Sequence, residues 1–449
     1  MKYKEQYIEN LKLALPVALA QLGQVLVQFA DNMMVGRYGG EDPVPLAAVS
    51  FGGAVWFLLF IAAIGFSAGI TPLAGELYAQ GDTRRSARLL HNGIIFYTLL
   101  GVAVMVLQTA AQPLLFMLGQ PRAVVEAAIP YYRLLACGIP FIMLFGAFKQ
   151  FLEGTGNTRA VMVMLIVANL LNIFLNWVFI YGRLGAPEYG ATGAGVATLL
   201  SRLTLPVMIV AYFMRRPHYR KYLHGFSPVR LSREAFGQLT RMGLPIAGQM
   251  FLENSAFIAT SIMMGWFGEE AIGANQITIT LANCAFMIVM SFGAATTIRV
   301  SHCYGLHDFR TLSHAVRAAY RMGLLWNLFA AMVFVIFRRQ IPLLFTANAE
   351  VADMASRMLV YVALFQLSDG LQNISVGTLR GIQDVRIIMP IAFLAYIALN
   401  LPVGYLCGFG LGMGPEGLYA GYIVGLSSAA VLMILRIRRK IKAQLEKSV

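Results

Sequence analysis

Two carboxylates, Glu253 and Asp369, lie well inside long apolar runs of this 449-residue chain. An acidic residue at the centre of a membrane helix costs roughly 2.5–3.5 kcal/mol, so such a group is expected to face water or a partner and to have a function. Gln249 lies one helical turn before Glu253, and Gln366 and Asn373 share a helical face with Asp369. If both acids face one cavity, each disfavours the charged form of the other until a proton, a metal cation such as Na⁺ or a cationic solute neutralises them. The pattern predicts a cation-responsive site.

A second polar set lies in the first half of the chain. Asp31 ends a helical face that also carries Gln24 and Gln28. This carboxylate is either an ion or proton site or a cap at the membrane interface. Asn172 and Asn176 share one face of another apolar run, where amide side chains either line a site or hold neighbouring helices together.

Further residues extend these two sets. Gln276 and Asn283 share a face of the eighth apolar run, and Phe365 offers an aromatic surface to a cationic ligand. Thr198 lies in a glycine-rich run that lets helices approach closely. Arg202, one turn later, either extends to the interface or pairs with a carboxylate of its own half, and the sequence leaves both readings open.

The composition indicates whether these residues lie in a soluble protein or in a membrane protein. The chain is 58% hydrophobic and 12% charged, with a mean hydropathy of +0.67, which is typical of a protein with many membrane spans. The net charge of +14 comes from Lys and Arg in short loops between apolar runs, so it indicates topology rather than a nucleic-acid partner. The four cysteines form no CxxC pair, and we expect no cofactor. No nucleophile and base stand at usable spacing, which argues against an enzyme such as a membrane acyltransferase.

About twelve apolar runs are long enough to cross a membrane as helices. Lys and Arg collect in the loops on one side, which predicts a multi-pass protein of the inner (plasma) membrane with both termini in the cytoplasm. The predicted spans lie near residues 12–34, 44–71, 92–116, 130–151, 160–181, 191–213, 241–267, 272–298, 318–337, 355–379, 387–409 and 417–435.

The two halves of the chain resemble each other. The stretch LPVALAQLGQVLVQFADNMMVGRYG matches LPIAGQMFLENSAFIATSIMMGWFG, and LEGTGNTR matches LRGIQDVR in the same order. We therefore predict an all-α membrane protein of two pseudo-symmetric six-helix lobes, residues 1–217 and 239–449, joined by a basic cytoplasmic linker, 218–238. Because each half has an even number of spans, the repeats are parallel, and the binding site is expected between them near the midplane.

The stretches ADNMMVGRYGG and GLPIAGQMFLENSAF, the run that leads into LRGIQD and the duplicated layout resemble the MATE (multidrug and toxic compound extrusion) transporters, in particular their bacterial NorM-type branch. The likeness extends from about Leu13 to Arg436. It implies a monomeric antiporter in membrane lipid that exports small organic cations in exchange for Na⁺ or H⁺.

The resemblance also implies roles for individual residues. It assigns cation coupling to Glu253 and Asp369, and a cation or proton site of the first lobe to Asp31, Asn172, Asn176 and Thr198. The expected substrate cavity holds Gln24, Gln28, Gln249, Gln276, Asn283, Phe365, Gln366 and Asn373. Some members have an acid where this chain has Asn176, which favours the NorM-type branch. Some Na⁺-coupled members have a Tyr where it has Phe365, so the coupling ion stays open.

A related function is the nearest alternative. Flippases and exporters of lipid-linked or polysaccharide substrates share the two-lobe layout, but a pyrophosphate-bearing substrate would require basic residues in the cavity. Arg202 is nearly the only basic residue expected in the cavity, whereas acidic residues predominate there. The sequence therefore favours a cation-coupled multidrug antiporter over a flippase.

Overall fold

The computed structural model describes residues 3–40, 42, 44–223 and 232–447, and these contain helices and no strand. A membrane interior offers no water to pair with backbone amides, so long apolar runs form helices that satisfy their own backbone. The helices are α1 (Tyr3–Gly39), α2 (Val44–Ser67), α3 (Ile70–Ala79), α4 (Thr83–Ala110), α5 (Arg122–Cys137), α6 (Ile139–Gly154), α7 (Thr158–Ile180), α8 (Gly190–Arg215), α9 (Pro217–Arg220), α10 (Arg233–Gly265), α11 (Glu269–Gly305), α12 (Phe309–Ile336), α13 (Ala349–Gly381), α14 (Ile388–Ala392), α15 (Leu401–Tyr405) and α16 (Pro415–Lys447).

Each of the twelve predicted spans falls on a helical segment, and the all-helical membrane fold is confirmed. Eleven segments of the described chain are long and apolar enough to cross a membrane, with Val44–Ala79 and Arg122–Gly154 each combining two consecutive helices. The one predicted span outside these eleven segments, 241–267, coincides with the 33-residue α10. Gln249, Glu253 and Asn254 interrupt its apolar run.

Side-chain caps fix where several helices begin. Asp82 accepts a 2.9 Å hydrogen bond from the Arg85 amide at the start of α4, and Asn157 accepts one from Ala160 at the start of α7. Asp308 and Asn348 cap α12 and α13 in the same way. Each cap pairs a backbone N–H that the first helical turn leaves without a partner.

The chain separates into two compact units. The first, Leu19–Ala247, is called the N-terminal unit, and the second, Met1–Ala18 with Gly248–Val449, is called the C-terminal unit. The division passes through α1 and α10. The predicted lobes at 1–217 and 239–449 stay a prediction, and residues 224–231 of the predicted linker lie outside the described residues.

Within the N-terminal unit, α7 packs against α8, α4 against α6, and α5 against both α2 and α8. These contacts bring α2, α5, α7 and α8 around a set of polar side chains that none of these helices could bury alone. The amide-rich face of α7 is thereby placed beside the glycine-rich start of α8.

Within the C-terminal unit, α13 packs against α11, α12 and α16. The close approach of α11 and α13 depends on small residues, since a Cβ atom at Gly377 would lie 2.3 Å from the carbonyl oxygen of Gly293. Between α14 and α16 the chain forms two π-helical segments, Phe393–Asn400 and Leu406–Gly410, on either side of α15. Widened turns of this kind occur frequently at functional sites.

Candidate cation and substrate sites

The predicted acids of the C-terminal unit are brought together. Asp369 on α13 and Glu253 on α10 interact electrostatically. Gln249 donates a 2.6 Å hydrogen bond from Nε2 to Oε2 of Glu253, as their spacing of one turn predicted. The carboxyl of Asp369 is 9% exposed and makes no hydrogen bond or ion pair with any residue that the structure describes.

Two residues that sequence reasoning missed complete this group. Arg380 of α13 donates from Nη2 to Oε1 of Gln249 at 3.0 Å and interacts electrostatically with Glu253. Tyr396 of the first π-helical segment is fully buried and close enough to Glu253 to interact with it, yet its hydroxyl has no well-formed hydrogen bond within the described chain. In the sequence, Arg380 at the end of an apolar run is typical of the Lys and Arg residues that indicate topology, and no sequence pattern marks Tyr396.

The charge of this group follows from its members. Glu253 and Asp369 contribute two negative charges when ionised, and Arg380 contributes one positive charge. One negative charge is left over, which suits one monovalent cation or one proton. We call these residues, with Gln249 and Tyr396, the acid pair site.

A buried amide one turn from Asp369 on α13 lacks partners for its side chain among the described residues. Gln366, one turn before Asp369, has neither side-chain atom paired with a described residue, although its backbone carbonyl accepts a 2.8 Å hydrogen bond from Asn327. Asn373 lies against α11, where a Cβ atom at Gly293 would meet its side-chain oxygen. Buried polar atoms without partners are rare in proteins and indicate a place for water or ligand. The side-chain amide of Gln366 is therefore available to a guest.

The other predicted lining residues of the C-terminal unit differ in burial. Phe365 is buried beside Tyr419 and Tyr422, with ring centroids 6.0 and 5.5 Å away. Gln276 and Asn283, both on α11, are exposed. Phe365 thus contributes to an aromatic core, whereas the side chains of Gln276 and Asn283 are not covered by other residues.

In the N-terminal unit, the predicted polar residues form one hydrogen-bonded chain. Asn176 donates to the carboxylate of Asp31, and the same amide lies 3.1 Å from Oδ1 of Asn172. Asn172 in turn donates to the hydroxyls of Thr198 at 3.3 Å and Ser201 at 3.4 Å. Ser201 was not predicted, although it lies one turn after Thr198. We call this group, from Asp31 to Ser201, the Asp31 site.

The two remaining predicted residues of this half, Gln24 and Gln28, are exposed. They lie on α1 before Asp31, as the helical period required. They are therefore available to a solute without any rearrangement of their side chains.

Arg202, whose role the sequence left open, lies over an aromatic ring. Its Cζ atom is 4.4 Å from the ring centroid of Trp56, and Nη1 donates to the carbonyl of Leu135 at 3.4 Å. Arg202 also interacts electrostatically with Asp31 and Tyr131. The guanidinium thus lies on an aromatic ring of its own half, and its pairing with a carboxylate stays a prediction.

Neither site has the ligands of a transition metal. Within the described ranges, no three His, Cys, Asp or Glu side chains come together in a way that could hold such an ion. The available donors are carboxylate, amide and hydroxyl oxygens, which suit hard cations.

The family of the chain follows from a duplicated match. The MatE family model matches residues 16–178 and again residues 245–406. The chain belongs to the MatE family. Its halves are therefore two copies of one MatE unit, which confirms the predicted duplication. MatE proteins are membrane transporters, so this chain is a transporter rather than an enzyme. With its apolar helices, it is a multi-pass protein of the inner membrane.

Known MatE relatives resemble this chain over nearly its whole length. It is 31% identical to the Multidrug resistance protein NorM of Vibrio vulnificus over 97% of this chain and 96% of the relative, and equally to that of Photobacterium profundum. Among solved structures, a MOP superfamily transporter from Pyrococcus furiosus has a TM-score of 0.88 at 22% identity, covering 98% of this chain and 96% of that one. That structure is described as having a binding pocket of reversed polarity that suggests a different function. The likeness to it shows the shared fold alone.

Proposed function

We propose that the chain is a multidrug antiporter that exports small organic cations in exchange for inward-moving Na⁺ or H⁺, by alternating access. The acid pair site is the observation that carries this proposal, because Glu253 and Asp369 lie together in a helical interior and, among the described residues, Arg380 is the cation that interacts with Glu253. Relatives that are 31% identical bear the name Multidrug resistance protein NorM, which supports drugs as the substrates.

Exchange follows from the charge of the acid pair site. With one negative charge left over, either the coupling ion or a cationic solute neutralises it, and both together would leave an excess positive charge. Binding of one therefore weakens binding of the other, which is the differential affinity that an antiporter requires. Exchange of one monovalent ion for one singly charged solute moves no net charge, so the concentration gradient of the coupling ion drives export; a tenfold ion gradient, about 1.4 kcal/mol, supports a tenfold drug gradient.

The proposal assigns roles to the remaining site residues. The partnerless amide atoms of Gln366, and Asn373 beside them on α13, supply neutral oxygen and N–H groups to a guest. The exposed amides Gln24, Gln28, Gln276 and Asn283 contact the solute. Phe365 lies in the aromatic core and stabilises the packing of α13 there. The transporter acts as a monomer with both termini in the cytoplasm and lobes at 1–217 and 239–449.

Ethidium efflux from cells tests the role of the acids. We expect Glu253→Gln and Asp369→Asn to lose most of the efflux at normal expression, because each removes the charge that the cations compete for. Glu350→Gln is the matched control, since Glu350 is an exposed acid in the first turn of the same helix as Asp369. Wild-type efflux by both site variants would overturn the proposal.

Inverted membrane vesicles identify the coupling ion. Ethidium transport is measured with an imposed Na⁺ gradient at constant pH and then with an imposed pH gradient without Na⁺. The gradient that drives ethidium transport identifies the coupling ion as Na⁺ or H⁺. If neither gradient moves ethidium while a lipid-linked sugar crosses the membrane, the flippase function replaces the one proposed.

A further inference from the structure

The last turns of α16, from residue 436 onward, carry a concentration of positive charge. They are held against the helix bundle, because Ile441 and Leu445 pack on a cluster that includes Val300 of α11 and Leu312 of α12. This end of the C-terminal unit therefore presents a cationic surface in a fixed orientation. Its cations are Arg436, Arg438, Arg439, Lys440 and Lys442.

Asp384, between α13 and α14, pairs with two of these cations. Arg436 donates from Nε to Oδ2 of Asp384 at 2.8 Å, and Nζ of Lys440 lies 3.8 Å from the same oxygen. Both side chains are thereby turned toward the bundle and share one negative charge. The pairs also fix which face of α16 is turned outward.

The other three cations lie on the outward face. Arg438 and Arg439 are exposed, and neither forms an ion pair with a residue that the structure describes. Lys442 lies 3.8 Å from Glu446, but both side chains are largely exposed, and water weakens such a pair. The end of α16 thus keeps an excess of positive charge that the protein does not balance locally.

One exposed stripe of α16 passes from apolar to cationic residues. Val424, Val431 and Leu435 are exposed, and on a membrane helix such side chains contact lipid tails. Arg438 and Lys442 continue this stripe, because the steps of seven, four, three and four residues stay within about 60° of one helix face. Leu435 is the last large apolar side chain of α16 that is exposed. The cations therefore lie on the face that is directed at lipid.

The position of these cations along the helix matches the headgroup layer. At about 1.5 Å per residue, Arg438 lies roughly 4.5 Å beyond Leu435, and Lys442 roughly 6 Å farther. The headgroup layer on each side of a bilayer is roughly 5–7 Å thick. Long cationic side chains reach this layer while their stems stay on apolar surface.

We propose that the end of α16 is a binding site for the headgroups of anionic phospholipids, contacted by Arg438, Arg439 and Lys442. A phosphate diester supplies the negative charge that this surface lacks, and the planar guanidinium of arginine donates two parallel hydrogen bonds to phosphate oxygens. Clusters of Lys and Arg directly beyond a membrane helix attract anionic lipids. The site lies on the surface of the C-terminal unit, and the inference does not depend on which solute or ion the chain transports.

Hydrogen exchange of residues 436–447 tests the site in the full-length chain. The chain is reconstituted in nanodiscs of phosphatidylcholine alone and in nanodiscs where phosphatidylglycerol replaces part of this lipid. Each cation near an anionic surface contributes about a fivefold gain in affinity, so we expect phosphatidylglycerol to slow exchange of these residues about tenfold or more. Equal exchange in the two lipids would overturn the proposal.

A matched pair of double variants separates a local site from total charge. Arg438→Gln combined with Arg439→Gln is expected to lose most of the slowing. Arg338→Gln combined with Arg339→Gln is the control, since it removes the same charge from two adjacent arginines that follow α12, and the slowing at residues 436–447 is expected to persist. Arg438→Lys combined with Arg439→Lys keeps the charge and is expected to retain most of the slowing. If the first variant responds to phosphatidylglycerol as the wild type does, the site is not at these residues.

Soluble anions distinguish a lipid from other partners. Inorganic phosphate and a short oligonucleotide are each added to the wild-type chain in phosphatidylcholine nanodiscs. Neither is expected to slow exchange of residues 436–447, because a stripe that begins among lipid tails offers its cations to the membrane surface. Slowing by either anion to the extent that phosphatidylglycerol produces would contradict the assignment to lipid.

Discussion

Gln249 bridges the guanidinium of Arg380 to the carboxylate of Glu253. Its amide nitrogen lies 2.6 Å from Glu253 and its amide oxygen lies 3.0 Å from Arg380. The bridge is itself buried, with Gln249 only 3% exposed. A neutral side chain thus holds the two charges in one network without direct contact.

Removing the bridge is expected to impair transport. Gln249→Leu fills a similar space but makes neither hydrogen bond, and a hydrogen bond to a charged group contributes roughly 1.5–3 kcal/mol. We expect ethidium efflux to fall about tenfold or more, since 1.4 kcal/mol is a factor of ten. Asn254→Leu is the control on the same helix, because the Asn254 amide donates only to the Met250 carbonyl of its own helix. Equal effects of the two substitutions would contradict a specific role for the bridge.

Tyr396 and Tyr419 form a matched pair of buried phenols. The Tyr396 hydroxyl has no well-formed hydrogen bond among the described residues, whereas that of Tyr419 lies 2.7 Å from Thr278 and donates to Asn275 at 2.9 Å. We expect Tyr396→Phe to leave the thermal midpoint nearly unchanged and to raise the cation concentration for half-maximal efflux several-fold, because the hydroxyl lies beside Glu253, where it can contribute an oxygen to a bound cation. Tyr419→Phe is expected to lower the midpoint, since it leaves buried partners unpaired. The reverse order of these effects would show that Tyr396 is structural.

The packing of α11 on α13 depends on the absence of a side chain at Gly377. A Cβ atom there would approach the Gly293 carbonyl to 2.3 Å, which the helices can relieve only by moving apart. Gly377→Ala is therefore expected to lower the thermal midpoint and the yield of monodisperse protein in size-exclusion chromatography. Gly237→Ala is the control, because a Cβ atom at Gly237 meets nothing within 4 Å. On α10 this alanine is expected to stabilise by roughly 0.5–1 kcal/mol through helix propensity.

Acid is expected to weaken the start of α12. Asp308, in the turn before this helix, accepts hydrogen bonds from the side chain and the backbone amide of Thr311, the latter at 3.0 Å, and these hold the pKa of its carboxyl below the ordinary value. A lowered pKa in the folded state means that the stabilisation is present above the unfolded pKa of about 3.9 and is lost as the pH falls through the folded value. Asp308→Asn still caps the helix and lacks this titration. Hydrogen exchange of the first turn of α12, measured from pH 6 to pH 3, should show protection that declines in the wild type and stays level in the variant; parallel curves would contradict the assignment.

The sequence by itself determined where the apolar helical segments lie, the duplication and the identity of the deep acids. Hydropathy is a local property of about 20 consecutive residues, so spans can be located without knowledge of their neighbours. The helical period likewise placed Gln249 beside Glu253 and aligned Asn172 with Asn176, because residues three or four apart share a face.

Only the tertiary structure decided which of these faces meet. Arg380 lies 131 positions from Gln249, and Trp56 lies on α2, far along the chain from Arg202 on α8. Such pairs depend on how each helix is rotated and packed against its neighbours, and a sequence that is apolar around most of each helix leaves that rotation undetermined. For the same reason Tyr396 could not be foreseen, since a buried tyrosine in an apolar run differs from packing residues only through the carboxylate that the fold places beside it.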